Sequence, residues 1–208
     1  MDFSEGEIAK LVNTFSEGIS VPRKKSENPI IVAPYGPSCV GKTTVMRYVA
    51  QELGLSHIQN DEIRIFLRNK GIDENEILYR CNLLGRVGEY FLKKGYGIVL
   101  DANFATNHDH LLKAKKLAEK YKASFFLIRV IAPEPYVIEK LRNKKFLSQD
   151  VGGLLPDAET AIEHFKRSLT QFDYEKLMPS TLTIVDSSEP LEPQLEKSIA
   201  IMRGTTLH

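Results

Sequence analysis

The sequence predicts a three-layer α/β fold: a mainly parallel, five-stranded sheet with helices on both faces. Three observations predict it. Five short apolar runs alternate with segments of helical spacing along most of the chain. The first run passes through a glycine-containing turn, GPSCVG, directly into a helix. The 208 residues, 42% hydrophobic and 26% charged, suffice for one domain with a substantial core. In such sheets ligands sit at the carboxyl ends of the strands. Residues just after each strand are therefore the candidates for chemistry.

Each element has its own signal. Over residues 4–18, Ile8, Leu11, Val12 and Phe15 recur at helical spacing. VPRKKSENP (21–29) is polar and bounded by proline, so it reads as a linker. Residues 1–28 are then an N-terminal helix and linker, and the main domain covers 29–208. The spacing predicts strands at 30–35, 55–60, 97–101, 124–131 and 181–186. Helices are predicted at 42–53, 61–71, 74–94, 107–121, 134–145, 157–175 and 191–202. Gly71 and Gly95 close two of them.

Bulk properties exclude several classes. A formal net charge of +1 gives no global pull toward nucleic acid or membrane. No apolar run approaches the ~20 residues of a membrane span, and the longest, FFLIRVIAP, carries Arg129. The start, MDFSEGEIAKLV, lacks an apolar signal core. Two cysteines, Cys39 and Cys81, offer neither metal spacing nor a disulfide framework. Reduced thiols and a cytoplasmic location are the expectation.

Gly36-Pro37-Ser38-Cys39-Val40-Gly41-Lys42-Thr43 fits G-x-x-x-x-G-K-[ST] without exception, between a predicted strand and a predicted helix. Gly36 and Gly41 allow the tight turn that aims backbone N–H groups at phosphate oxygens. The helix that follows offers its positive end to the anion. Lys42 supplies a point charge for the β- and γ-phosphates, and Thr43 a hydroxyl for Mg²⁺. Residues 36–44, Thr44 included, are the expected nucleotide-binding set. Cys39 reads as a small loop residue; near a helix N-terminus its thiol has a route to a lowered pKa and oxidation.

The attacking group is a separate question. Hydrolases that position a water often carry Glu after the acidic residue of an apolar strand. Here GIVLD is followed by Ala102, which speaks against AAA-type and ABC-type ATPases. LSQDVGG lacks the Ser-Gly-Gly-Gln core of an ABC signature, and Asn143–Phe146 lacks the Asp of a guanine-reading motif. In HIQNDEIRIF, Asp61 follows a short strand and Arg64 lies three residues on, on the same helical face. A carboxylate there can accept a proton from a substrate hydroxyl, and the guanidinium can hold an anionic part of that substrate. Taken alone, the pair reads as readily as a helix N-cap and a surface ion-pair partner.

The cradle, the strand-end Asp-x-x-Arg, the VLDANF strand and the IAPEPYVIEKLRNKK segment, in this order, resemble the polynucleotide-kinase-like P-loop kinases. That group includes the 5′-hydroxyl polynucleotide kinases, chloramphenicol phosphotransferase and the zeta-toxin kinases. The resemblance covers about residues 30–188 and implies a P-loop kinase fold with ATP and Mg²⁺ as cofactors. It implies Asp61 as general base and Arg64 as acceptor contact. Asp101, ending the third strand, is the Walker-B-like residue, holding Mg²⁺ or the acceptor. Asn103 adds a polar contact to the acceptor or serves the loop. His108 and His110 read as surface residues.

A small mobile lid is expected at about 142–157, with Gly152 and Gly153 within it. Arg142 is the chosen cation for the transferring phosphate, with Lys144 and Lys145 where further arginines are expected. HLLKAKKLAEKYK reads as a solvated helix face. The near-neutral charge and few remaining basic clusters favour a small-molecule or short anionic acceptor over a long nucleic acid. The alternatives are a 5′-hydroxyl polynucleotide kinase and a regulatory NTPase without an acceptor.

Overall fold

The computed structural model describes residues 3–21, 25–74, 77, 81–102, 104, 108–144, 155–171 and 174–206. In chain order the elements are α1 (Glu5–Glu17), β1 (Ile30–Tyr35), α2 (Lys42–Leu53), β2 (Ser56–Gln59), α3 (Asn60–Asn69), α4 (Leu83–Leu92), β3 (Ile98–Asp101), α5 (His108–Lys120), β4 (Ser124–Ile131), α6 (Glu134–Asn143), α7 (Ala158–Gln171), β5 (Thr181–Asp186) and α8 (Leu191–Thr206). A 3-10 helix, Tyr174–Ser180, leads into β5.

The five strands form one sheet in the order β2-β3-β1-β4-β5, and every pairing is parallel. All strand carboxyl ends therefore share one edge. Register places Gln59 beside Asp101 and Ile131 beside Asp186 at that edge.

β1 is buried along its whole length and divides its side chains between two cores. Ile31, Ala33 and Tyr35 join Ile63, Leu83, Phe91 and Leu111, from α3, α4 and α5. Ile30 and Val32 join Val45, Val137, Phe165 and Leu195, from α2, α6, α7 and α8. The period of two along a strand is what allows one sheet to serve two helical layers. α1 lies on the first layer through Ile8, Val12 and Phe15, and Arg86 of α4 pairs with Glu5 at 2.7 Å. Its start is fixed by a capping box between Ser4 and Glu7.

One predicted helix is divided. Residues 74–94 are not a single helix, because Asn82 takes a left-handed backbone (φ 49°, ψ 49°) and α4 begins only at Leu83. Asparagine is among the few residues that adopt this conformation at low cost. Of the predicted helix at 157–175, Ala158–Gln171 is helical, residues 172–173 lie outside the described residues, and Tyr174 already belongs to the 3-10 helix. Most of the expected lid, 145–154, lies outside the described residues. Among the described residues no helix is long and apolar enough to cross a membrane.

Candidate active site

The cradle joins β1 to α2 at the centre of the sheet edge. Gly36 has φ 141°, and a Cβ built on it would stand 2.1 Å from the Val130 carbonyl oxygen. Only glycine passes so close to the neighbouring strand. Gly41 has φ 92° and lies against Ser187, where a Cβ would meet the Ser187 hydroxyl at 3.0 Å. Cys39 also has positive φ, 64°, so the turn depends on left-handed residues at three of its positions.

Lys42 opens α2, and its ammonium folds back over the turn. Nζ donates to the carbonyls of Pro37 at 2.6 Å and Gly36 at 3.1 Å. Burial pushes its pKa down to about 8, against the pull of Asp101, Cys39 and Asp61 toward the charged form. Asp101 ends the neighbouring strand β3, and Asp61 opens α3 directly after β2. The Cys39 thiol is pushed up by burial, while Lys42, Lys144 and Lys140 act in the opposite direction. The route to an acidic, oxidisable thiol is thereby corrected: desolvation outweighs the neighbouring cations.

Two carboxylates lie close by. Asp101 ends β3, is buried, and its Oδ2 accepts from His57 Nε2 at 3.1 Å. Asp61 sits one residue inside α3, whose N-cap is Gln59 with no side-chain capping bond. Asp61 therefore does not act as the cap. Its side chain is 49% exposed. Its pKa is raised, chiefly by desolvation and further by Asp101 and Glu74, with Arg64 and Lys42 opposing.

Arg64 is buried rather than on the surface. Its Nη1 donates to Glu74 at 3.1 Å, and its Nε lies 4.0 Å from Asp61 Oδ1. Glu74 also accepts from Arg68, through Nη2 at 2.8 Å and through Nε. The guanidinium of Arg64 thus bridges a buried carboxylate and the proposed base. Asn103 lies outside the described residues.

With this geometry in place, comparisons define the relationship. A family described as AAA domain matches residues 31–161. The chain belongs to this family. The sequence expectation that Ala102 speaks against AAA-type chains is corrected as to family membership; Ala102 still stands where a water-positioning Glu would be. No curated protein matches the chain.

Solved structures share the fold of this AAA-domain chain at low identity. A gluconokinase from Sinorhizobium meliloti 1021 is 16% identical with a TM-score of 0.53, covering 88% of this chain and 96% of that one. A structure from the PezAT toxin–antitoxin system of Streptococcus pneumoniae is 14% identical with a TM-score of 0.57, covering 99% and 97%. The Mycobacterium tuberculosis APS kinase in complex with AMPPNP and APS is 17% identical with a TM-score of 0.53, covering 85% and 98%. The fold is that of the P-loop kinases, as the sequence resemblance implies.

The lid-side cations are arranged differently from the sequence expectation. Lys140 Nζ lies 3.8 Å from where a Gly41 Cβ would stand, and Lys144 acts electrostatically on Cys39. Lys140 lies on α6, and Lys144 is its C-cap residue with an extended backbone (φ −77°, ψ 129°). Arg142 is exposed and lines an open groove with Glu134, Ile138 and Glu139.

Sequence reasoning missed four contributors. His57 gave no motif signal, because its role depends on β2 pairing with β3. Ser168 of α7 accepts from the Ser38 N–H at 2.9 Å, and donates to Phe165 O at 2.6 Å. Ser187, after β5, donates its hydroxyl to the Val40 carbonyl. Glu74 lay inside an apparent continuous helix. Each acts on the cradle, on Asp101 or on α3 across at least 10 residues of chain.

Proposed function

We propose that this AAA-domain chain is an ATP-dependent kinase that phosphorylates a hydroxyl of a small-molecule or short anionic acceptor. The observation that carries the reading is that Lys42 follows β1, Asp61 follows β2 and Asp101 ends β3, so all three stand at the carboxyl ends of neighbouring strands. Hydrolases often carry a water-positioning Glu directly after this acidic residue, and Ala102 offers no such group. Asp61, free of capping duty and half-exposed, suits a proton acceptor.

In this reading Lys42 leaves the carbonyls of Gly36 and Pro37 to meet the β- and γ-phosphates. Backbone N–H groups of the 36–44 turn, from which Pro37 is excluded, face the phosphate chain. Asp61 takes the proton from the acceptor hydroxyl. The acceptor oxygen forms a bond to the γ-phosphorus as the bond from that phosphorus to the β,γ-bridging oxygen breaks, and ADP leaves. Lys140, with Lys144, supplies the lid-side charge on the transferring group. Arg142 is assigned to the open face of α6. Arg64 holds Asp61 in place while anchored on Glu74.

The donor set fits Mg²⁺: a half-buried Thr43 hydroxyl and the buried Asp101 carboxylate, one of whose oxygens is held by His57. Thr43 and Asp101 would hold the ion, which when bound neutralises charge on the β- and γ-oxygens.

The test is a screen of hydroxyl acceptors with labelled ATP, run beside Lys42→Ala. Acceptor-dependent transfer that disappears in the variant is the expected result. Phosphate release independent of any acceptor would assign the chain to the hydrolases. A stable ATP complex with no phosphorylated product would leave a binding module.

A further inference from the structure

We propose that Ser168 and Ser187 are positioning residues for the phosphate cradle: from outside the turn, they hold Cys39 in its left-handed backbone before any nucleotide arrives. This rests on the nucleotide-binding part of the kinase reading above and is independent of the acceptor.

The turn has positive φ at Gly36, Cys39 and Gly41. The two glycines adopt such a backbone without steric cost. Cys39, at φ 64°, carries a Cβ that crowds the chain in this conformation. It also lacks the side-chain amide that helps asparagine, as at Asn82, to settle there. A residue of this kind keeps a left-handed backbone only where its surroundings over-determine it.

Those surroundings are two hydroxyls, one on each side of Cys39. The Ser38 N–H donates to Ser168 Oγ at 2.9 Å, and the Val40 carbonyl accepts from Ser187 Oγ. Ser38 is therefore an exception among the N–H groups of the turn, directing its own toward α7. Each hydroxyl is itself held. Ser168 is 2% exposed, and its Oγ donates to Phe165 O at 2.6 Å, so the oxygen is left as an acceptor for Ser38. Its carbonyl accepts from the Tyr174 hydroxyl at 2.7 Å. The Ser187 N–H donates to Ile131 O at 2.9 Å, which fixes it to β4. Lys42 also bonds the turn, through the Gly36 and Pro37 carbonyls, but in the reading above it leaves them for phosphate. The serines act from α7 and from the connection between β5 and α8, so they hold the turn with the cradle empty or filled.

Removing either hydroxyl leaves a backbone group without its partner and lets Cys39 relax. Only a fraction of chains then presents the binding turn, and affinity falls by that fraction. Glycine at position 39 removes the steric penalty, so the turn forms again with one hydroxyl missing. This coupling between the serines and Cys39 separates a clamp from an ordinary packing contact.

The test uses the full chain, with Mg-ADP binding followed by calorimetry and Ser38 amide hydrogen exchange followed by NMR without nucleotide. Ser187→Ala should weaken Mg-ADP about tenfold and speed Ser38 exchange by a similar factor, although Ser187 does not bond that amide. Adding Cys39→Gly should bring both values back to within about threefold of wild type. Ser168→Ala should weaken Mg-ADP similarly; there Cys39→Gly should restore affinity but not Ser38 protection, because the acceptor oxygen is gone. Unchanged affinity in both serine variants, or a loss that Cys39→Gly does not restore, overturns the proposal. A shift of the urea midpoint with neither response assigns the serines to packing alone and overturns it equally. The two readings stay distinguishable. A wild-type chain that binds no Mg-ADP removes the kinase reading, while the response of Ser38 exchange to Ser187→Ala and Cys39→Gly still decides the clamp. Mg-ADP binding that both serine variants keep intact removes the clamp and leaves the kinase reading standing.

Discussion

Replacing Glu74 with alanine should destabilise the protein far more than replacing its exposed partner. Glu74 and Arg64 have side chains only 8% and 10% exposed, joined at 3.1 Å. Arg68, the second partner, is 40% exposed. Removing one member of a buried pair leaves the other charged and desolvated, a cost of about 3–5 kcal/mol. An exposed pair contributes about 1 kcal/mol or less. Glu74→Ala should therefore cost about 3–5 kcal/mol, and Arg68→Ala about 1 kcal/mol at most. With a urea slope of about 2 kcal/mol/M, the first shifts the unfolding midpoint by roughly 1.5–2.5 M. The double variant Arg64→Met/Glu74→Leu should recover most of the loss, because no buried charge remains. Urea unfolding followed by circular dichroism reads all four proteins. A Glu74→Ala cost below about 1 kcal/mol, or no recovery in the double variant, would refute the view that this pair anchors α3.

Three further outcomes are expected. Asp61→Asn should keep ATP affinity but lower transfer to the acceptor found in the screen by about a hundredfold or more; near wild-type turnover would remove Asp61 as base. Lys140→Ala should lower kcat at least tenfold while Arg142→Ala changes it less than about twofold, as the loss of a transition-state charge predicts; the reverse order would restore Arg142 as the lid cation. Gly36→Ala should destabilise by about 3 kcal/mol or more, since its Cβ would overlap a strand carbonyl that cannot yield; an unchanged urea midpoint would contradict the packing at β1–β4.

The sheet was legible because its signals are local. Five apolar runs, each bounded by punctuation, became five strands, and the cradle lay where the G-x-x-x-x-G-K-[ST] spacing put it. The break at Asn82 was not legible. The flanking residues keep helical spacing, and the left-handed turn is a single-residue event without proline or glycine at that position. Arg142 was chosen from the family resemblance, in which arginines are expected in the lid. The proposal of Lys140 rests instead on where its ammonium lies, beside Gly41. His57, Ser168 and Ser187 depend entirely on tertiary pairing.

The division of labour between the two carboxylates follows from how each is held. A general base must be reached by the substrate hydroxyl and must change protonation within the catalytic cycle. Asp101 is poorly suited to this. It is buried at the strand end, and His57 occupies one of its oxygens. Such a fixed, doubly constrained carboxylate suits a constant charge, the requirement for a metal ligand. Asp61 has the opposite character. Its side chain is half-exposed, it sits in a helix's first turn without capping it, and desolvation with nearby Asp101 raises its pKa. A raised pKa brings the carboxylate closer to the proton it must accept, while Arg64 at 4.0 Å and Lys42 keep it ionised before the proton arrives. In the proposed mechanism the base is thus tuned through Arg64, and Arg64 is fixed through Glu74. That chain of contacts would tie a residue with no place in any phosphate-binding motif to the proposed proton transfer.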